Sequence, residues 1–262
     1  MNVSYYASIT TDDSNFVKRL VQRRRLAHSL RVLKALPQDF AGAFLDYGAG
    51  TGLLCEQLAS RFPQASVVCF EPVPSLCEEA ASNLAPYENA EVVSQLPAIF
   101  DRRFDYLFCL EVLEHLPQLE TDNLLDSIET LSADGATAIF GVPNELYAAA
   151  FVKGLFRYQR LRGSVVMRWS YIWQAVLGLP PQERPMSEIW PGLRYHYHHL
   201  GFDYRTLRET LARRFDVTAV YGSPMTFLPI ALNSEVYFVC RERQAAPVPS
   251  PHCEVSHSSA SV

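Results

Sequence analysis

The residues best placed to do chemistry together stand in one run, Ala43 to Leu54, which reads Ala-Phe-Leu-Asp-Tyr-Gly-Ala-Gly-Thr-Gly-Leu-Leu. Asp46 is followed by glycines at alternate positions, Gly48, Gly50 and Gly52, with Ala49 between the first two. Glycine accepts positive φ and lets a ligand approach the main chain, and the free amides that open a helix draw negative groups. The run reads as a strand, a tight turn and a helix start that cradle a nucleotide-like ligand. Charge narrows that ligand. A dinucleotide turn places its third glycine one residue later, where this chain has Leu53, and sets a pyrophosphate against the turn. Asp46, two residues before the first glycine, would repel a pyrophosphate and attract an ammonium or sulfonium. Glu71 closes the next apolar run, Ser66 to Phe70, and an acid at that strand tip can accept both hydroxyls of a ribose.

Two further stretches carry groups that can move protons. One is Glu111-Val112-Leu113-Glu114-His115, directly after the apolar run Phe104 to Leu110. The other is Tyr195-His196-Tyr197-His198-His199-Leu200-Gly201-Phe202. Imidazole changes protonation near neutral pH and suits a general base. His115 and His199 are the catalytic candidates, whereas His196 and His198 read as surface or packing residues in an aromatic loop.

The pattern Asp46-x-Gly48-x-Gly50-x-Gly52 followed by Glu71 resembles the cofactor site of the class I S-adenosylmethionine-dependent methyltransferases of the small-molecule type, from about Phe44 to about Arg241. The resemblance implies S-adenosylmethionine as cofactor and an α/β fold: a doubly wound, seven-stranded, mostly parallel sheet whose last strand inserts antiparallel. It also implies a residue map. Asp46 would position the methionine part through the turn, Gly48, Ala49, Gly50 and Gly52 would let the cofactor approach, and Glu71 would bind the ribose. Leu110 and Glu111 would supply backbone and wall contacts. The adenine slot, Ser94-Gln95-Leu96-Pro97, lacks the carboxylate common there, so Ser94 or Gln95 would bond the adenine amine. His199 stands three residues before Phe202, like the His-x-x-Phe whose histidine often points at the acceptor in relatives. The partner this implies is a small-molecule acceptor, and the expected reaction is O-methylation of a sugar, polyketide or quinone-type hydroxyl. N-methylation, a membrane-surface enzyme acting on a lipid-linked intermediate, and a non-catalytic cofactor-binding scaffold are the alternatives. Glu111, Glu114 and His115 with a later histidine also resemble the metal site of the methyltransferases acting on small-RNA 3′-terminal ribose and on ubiquinone-pathway catechols. Glu-Val-Leu-Glu-His is common in relatives without metal too, and the reading adopted assigns no metal ligand.

The elements that must position these residues follow from periodicity. Residues 1–37 carry an amphipathic pattern, with Phe16, Leu20, Val21, Leu26, Leu30 and Leu33 on one face, that reads as one or two helices; the resemblance implies that they form an N-terminal cap over the cofactor with Tyr5 or Tyr6 near it. Residues 38–243 read as one domain. Its helices are expected over Thr51 to Arg61, Pro74 to Leu84, Leu119 to Leu131 and Tyr204 to Arg213. Its later strands are expected over Ala90 to Val93, Phe104 to Leu110, Gly135 to Gly141, Phe215 to Tyr221 and Glu235 to Arg241. Residues 146–191 interrupt the alternation, and in position they match the insertion that in the resembled family forms a lid over the acceptor, which implies a helical lid insertion here. Residues 146–182 carry five basic residues, Lys153, Arg157, Arg160, Arg162 and Arg168, and no acidic one, among many aromatics. This lid has three readings: plain packing that shapes the acceptor pocket, recognition of a phosphate or carboxylate on the acceptor, or peripheral contact with an anionic membrane. Residues 244–262 are mainly Ala, Pro, Ser and Val without periodicity and read as a disordered tail.

Composition bounds the rest. A chain of 262 residues with 48% hydrophobic content can bury one large core. A net charge of −5 gives no signal for nucleic acid. The six cysteines form no regular pairs and read as buried thiols in a reducing compartment, so a cytoplasmic location without a secretion signal or membrane span is expected.

Overall fold

The structure, a computed structural model, describes residues 26–160, 169–181, 184–190 and 193–243. Most of the expected N-terminal cap, the middle of the lid with Arg162 and Arg168, and the C-terminal tail lie outside these residues.

Nine strands and six α-helices are described. The order is β1 (Ala43–Tyr47), α1 (Leu53–Arg61), β2 (Ser66–Phe70), α2 (Pro74–Leu84), β3 (Ala90–Val93), β4 (Phe104–Leu110), α3 (Gln118–Leu131), β5 (Ser132–Pro143), α4 (Tyr147–Arg160), α5 (Trp169–Val176), β6 (Met186–Trp190), β7 (Leu193–His196), α6 (Tyr204–Arg214), β8 (Phe215–Ser223) and β9 (Glu235–Glu242). Seven strands make one sheet in the order β3-β2-β1-β4-β5-β9-β8. β1 pairs parallel with β2 and with β4, whereas β9 lies antiparallel between β5 and β8. The chain moves outward from β1 to β3, then returns to place β4 on the other side of β1. That reversal opens a crevice beyond the carboxyl ends of β1 and β4, where ligands of doubly wound sheets bind.

The strands read as nearly continuous apolar runs because both faces of the sheet are covered. Side chains alternate across it: Leu45, Val68, Leu107 and Phe140 pack with α3 and α6 on one face. Their neighbours Phe44, Val67, Phe108 and Ile139 pack on the other with α1, α2 and Leu26, Leu30 and Leu33. The last three belong to a helical turn at 26–29 and the 3-10 helix Leu30–Ala35, which is what the structure describes of the expected cap. Tyr221 O–H donates to the His28 carbonyl, 2.8 Å away, and fixes this segment against β8.

Three expectations need correction. The first helix begins at Leu53, not Thr51, because Gly52 occupies the N-cap in the left-handed region at φ 81°. The lid is not wholly helical: after α4 and α5 it ends in an antiparallel ribbon, Met186–Trp190 against Leu193–His196. Pro185 disfavours helix at Arg184, and the Tyr-His-Tyr alternation suits a strand. Among the described cysteines Cys77 is only half-buried, while Cys55, Cys69, Cys109 and Cys240 are buried.

Candidate active site

The turn after β1 is built from backbone. The amides of Gly48 and Ala49 both donate to the Phe70 carbonyl, at 2.8 and 3.0 Å, which ties the turn to the end of β2. Gly48, Gly50 and Gly52 have φ of 78°, 57° and 81°, a region costly to residues with a side chain. Their surroundings differ. A Cβ on Gly48 would meet Val112 at 2.6 Å, whereas one on Gly50 would meet nothing within 4 Å. Gly48 is therefore required by packing, and Gly50 fronts open space.

Two buried carboxylates flank this turn. Glu71 accepts from the Gly50 amide (2.8 Å) and the Val73 amide (2.9 Å), one on each oxygen. A carboxylate offers about four lone-pair positions, so two amides leave acceptor capacity for a diol. Burial raises the Glu71 pKa, and the two amides oppose the rise. Asp46, at the end of β1, is also buried, with the Cys55 thiol 3.8 Å from its Oδ2. Burial first, then the charge of Glu71, lifts its pKa from 3.8 to about 7. A buried acid under such strain favours a cation beside it. The Glu71 amide donates to the Val93 carbonyl at 3.0 Å, so β3 delivers Ser94 and Gln95 next to Glu71, both exposed.

Across the crevice, Leu110 and Glu111 end β4. Leu110 is half-buried against the apolar cluster that includes Phe108, Ile139 and Tyr237. Glu111 holds φ 57° while its amide donates to the Gly141 carbonyl at 2.8 Å. A non-glycine residue there costs about 1–3 kcal/mol, and such strain gathers at functional sites. Val112, which touches Gly48, leads into the short helix Leu113–His115.

The two candidate histidines meet. His115 and His199, far apart in sequence, bring their Nε2 atoms to 3.2 Å with the rings edge to face. His115 Nδ1 lies 2.7 Å from the His196 carbonyl, which only accepts, so Nδ1 carries the proton and Nε2 presents a lone pair. Burial is the main cause that lowers the His115 pKa to about 4, which keeps the ring neutral at neutral pH. Glu114 Oε1 is 3.6 Å from His115 Nε2. Tyr195 stacks on His115 with the ring centroids 4.2 Å apart. His196 turns its ring Nδ1 to the Pro185 carbonyl at 3.3 Å, and His198 is exposed, in line with their reading as packing and surface residues.

Three partners of this cluster were not singled out by the sequence reading. Glu145, buried just past the end of β5, places Oε1 3.8 Å from His199 Nδ1. Lys153 on α4 donates to the same oxygen at 3.1 Å and to the carbonyls of Asn144 and Ser234, at 3.1 and 3.0 Å. Arg184 donates to the carbonyls of Glu114 and His198, which fastens the exit of the lid to both histidine loops. The position of Glu145 at a strand end on the ligand edge was the available signal. Lys153 gave none, since it reads as one more base in a basic segment.

A family model described as a methyltransferase domain matches residues 19–214. No curated protein matches the sequence. Among solved structures the chain is similar to DhpI in complex with SAH, at 17% identity and a TM-score of 0.53 over 91% of this chain and 94% of that one. It is similar to the N-methyltransferase NodS from Bradyrhizobium japonicum WM9 in complex with S-adenosyl-L-homocysteine, at 14% identity and 0.50 over 88% and 90%. It is also similar to the PH0226 protein from Pyrococcus horikoshii OT3, at 14% identity and 0.60 over 93% and 100%. The alignments extend along nearly all of each chain, and the family match takes in both the glycine turn and the histidine cluster. The chain belongs to the methyltransferase domain family, with the fold of the class I S-adenosylmethionine-dependent enzymes.

Proposed function

We propose that the protein is an S-adenosylmethionine-dependent O-methyltransferase acting on a small-molecule hydroxyl of sugar, polyketide or quinone type. The chain's residues fit the cofactor: open space at Gly50 admits it to the backbone, Glu71 keeps acceptor capacity for its ribose, and Asp46 favours its cationic end. Ser94 and Gln95 stand beside Glu71 for the adenine, and Leu110 and Glu111 form the opposite wall. When bound, this cofactor supplies a methyl group already activated on a sulfonium. The protein then needs to align the acceptor in a dry crevice and take its proton.

The observation that carries the hydroxyl reading is the part-buried contact between His115 and His199. His199 is the proton acceptor. His115, fixed as a neutral tautomer by the His196 carbonyl, accepts from the His199 Nε2–H, so the nitrogen of His199 left to take the acceptor's proton is Nδ1, which lies 3.8 Å from Glu145 Oε1. Lys153 holds Glu145 in place. A carboxylate near the imidazole stabilises the imidazolium formed when an acceptor hydroxyl loses its proton. An amine acceptor that arrives neutral has less use for such a base. The test is incubation with methyl-tritiated S-adenosylmethionine and a panel of phenols, catechols, sugars and amines, with products resolved chromatographically. Methyl ethers support the reading, and methylamines alone replace it with N-methylation. Donor binding without any product favours the scaffold.

A second reading has its own observation. Among the described residues, one ligand atom from each of Glu114, His115 and His199 lies within 4.8 Å of the others. Two imidazole nitrogens and a carboxylate suit a small divalent ion, and the inward Nε2 of His115 presents a lone pair. Glu111 lies outside that group, so the resemblance-based set is not reproduced in full. Such an ion would lower the pKa of a bound hydroxyl. Chelation with EDTA separates the readings: turnover lost and restored by one divalent metal supports the ion, and unchanged turnover supports the histidine base alone.

A further inference from the structure

The lid carries an outward face that the core does not use. In α4 and α5 the inner sides are satisfied: Ile172 and Ala175 are buried, and Gly154 lies so close to Ile172 that a Cβ there would stand 2.8 Å from it. The outer sides are apolar as well. Phe151 and Leu155 stand four residues apart on α4, one helical turn, and both are exposed. Trp169, Trp173 and Leu177 repeat the same spacing along α5, whose spiral continues through the Leu177 amide bonded to the Trp173 carbonyl. The Phe151 and Trp173 rings lie 6.1 Å apart and join the two stripes into one patch, and Leu179, shortly after α5, is exposed as well. Leu177 is 72% exposed and Leu179 65%, where a soluble surface would normally carry polar groups.

Charge selects the occupant. The chain is acidic, with a net charge of −5, yet residues 146–182 hold five basic residues and no acidic one. Lys153 is turned inward onto Glu145. Arg157 and Arg160 belong to the last turns of α4, and Arg162 and Arg168 follow in the sequence before α5. An arginine-bearing, acid-free segment whose helices expose tryptophan and leucine has the composition of helices that lie in the headgroup region of an anionic bilayer. No helix among the described residues is long and apolar enough to cross a membrane. We propose that the α4–α5 face docks on the surface of an anionic lipid bilayer.

The bearing of this docking on the substrate rests on the methyl-transfer reading. α4 carries Lys153 against Glu145, so the same element borders the membrane and the histidine cluster. The acceptor class this favours is amphiphilic, with an apolar tail left in the bilayer and a hydroxyl raised into the crevice.

Vesicle binding is read without turnover, so docking and catalysis fail separately. The full chain is sedimented with vesicles of phosphatidylcholine alone and of phosphatidylcholine mixed with phosphatidylglycerol, at low and high salt. Pelleting with the mixed vesicles only, reduced by salt, is expected. A variant with Arg157→Gln, Arg160→Gln and Arg162→Gln should lose about five-fold in partitioning for each arginine removed. A second variant, Trp173→Ser with Leu177→Ser, should lose binding while keeping the wild-type circular dichroism spectrum and melting point. Leu177→Ser alone serves if the pair unfolds. Equal binding to both vesicle types, unchanged binding by the arginine variant, or no pelleting with either vesicle overturns the proposal. A concentration-dependent dimer lost in Trp173→Ser with Leu177→Ser, without pelleting, assigns the face to a second copy instead.

Discussion

On the β1 to β3 side of the crevice, each proposed donor contact comes from a strand end and the few residues that follow it. Asp46 and the glycines close β1, Glu71 closes β2, and Ser94 and Gln95 follow β3. On the β4 and β5 side the histidine cluster is assembled from the loop after β4, the loop after β5, α4, the exit of the lid and the loop after β7. One half is fixed by local backbone geometry that few residues other than glycine can adopt. The other depends on side chains from distant segments meeting in one place. The donor half can thus stay constant while the lid and its loops change the acceptor, and the two halves should be separable by mutation.

The sharpest way to break that separation is His199→Ala. Loss of a positioned base should lower turnover about 10²- to 10⁴-fold on the phenolic or catecholic acceptor used fastest, with donor affinity unchanged. A parallel fall in donor affinity would join the halves. Glu145→Gln removes the charge behind His199 but keeps its shape. Turnover should fall about 10- to 100-fold, with KM nearly constant and the acid limb of the pH–rate profile displaced. An unchanged profile would make Glu145 merely a partner of Lys153.

Glycines test the donor half. Gly50→Ala places a methyl in open space at positive φ, at a cost of about 1–2 kcal/mol, and should weaken donor binding with little other damage. Gly48→Ala adds a collision with Val112 and should lower the melting temperature more. Equal melting losses for the two would contradict the division between a packing glycine and a ligand-facing one.

The smallest effect is in pH. Asp46 titrates near 7 in the free protein because burial and Glu71 raise its pKa. A cationic donor binds the ionised form, so binding below about pH 7 releases a proton. Affinity should fall up to about tenfold per pH unit below that point and level off above it. The free protein should move the opposite way at this group, because the raised pKa favours the protonated fold. Its contribution to stability rises as pH falls from about 7 toward 4. Calorimetry in buffers of different ionisation enthalpy counts the released proton.

The same contrast explains what the sequence made legible. The glycine turn, Glu71 and most strand positions were readable because each is written in contiguous residues with a period or a backbone requirement, whereas the sheet's topology and its antiparallel strand were expected only from the family resemblance. His115 and His199 were readable as types at loop positions, but their mutual contact was not, since nothing local encodes it. Glu145 and Lys153 were not recognisable as site residues because an acid after a strand and a lysine in a helix have many ordinary roles, and only the fold brings them together. The β6–β7 ribbon was missed because its strands are short, one at the end of the expected helical lid and the other in the histidine-bearing loop just after it. The apolar outer stripe of α5 became visible only when the structure showed which side of the helix the core leaves uncovered.

The most direct measurement is calorimetric titration of S-adenosylmethionine into the wild type, Asp46→Ala and His199→Ala at pH 8. The wild type and His199→Ala should bind alike in the micromolar range, about −8 kcal/mol, and Asp46→Ala should lose that binding. No binding by the wild type, or equal losses in both variants, would contradict a donor site housed on the β1–β3 side and separable from the histidine cluster.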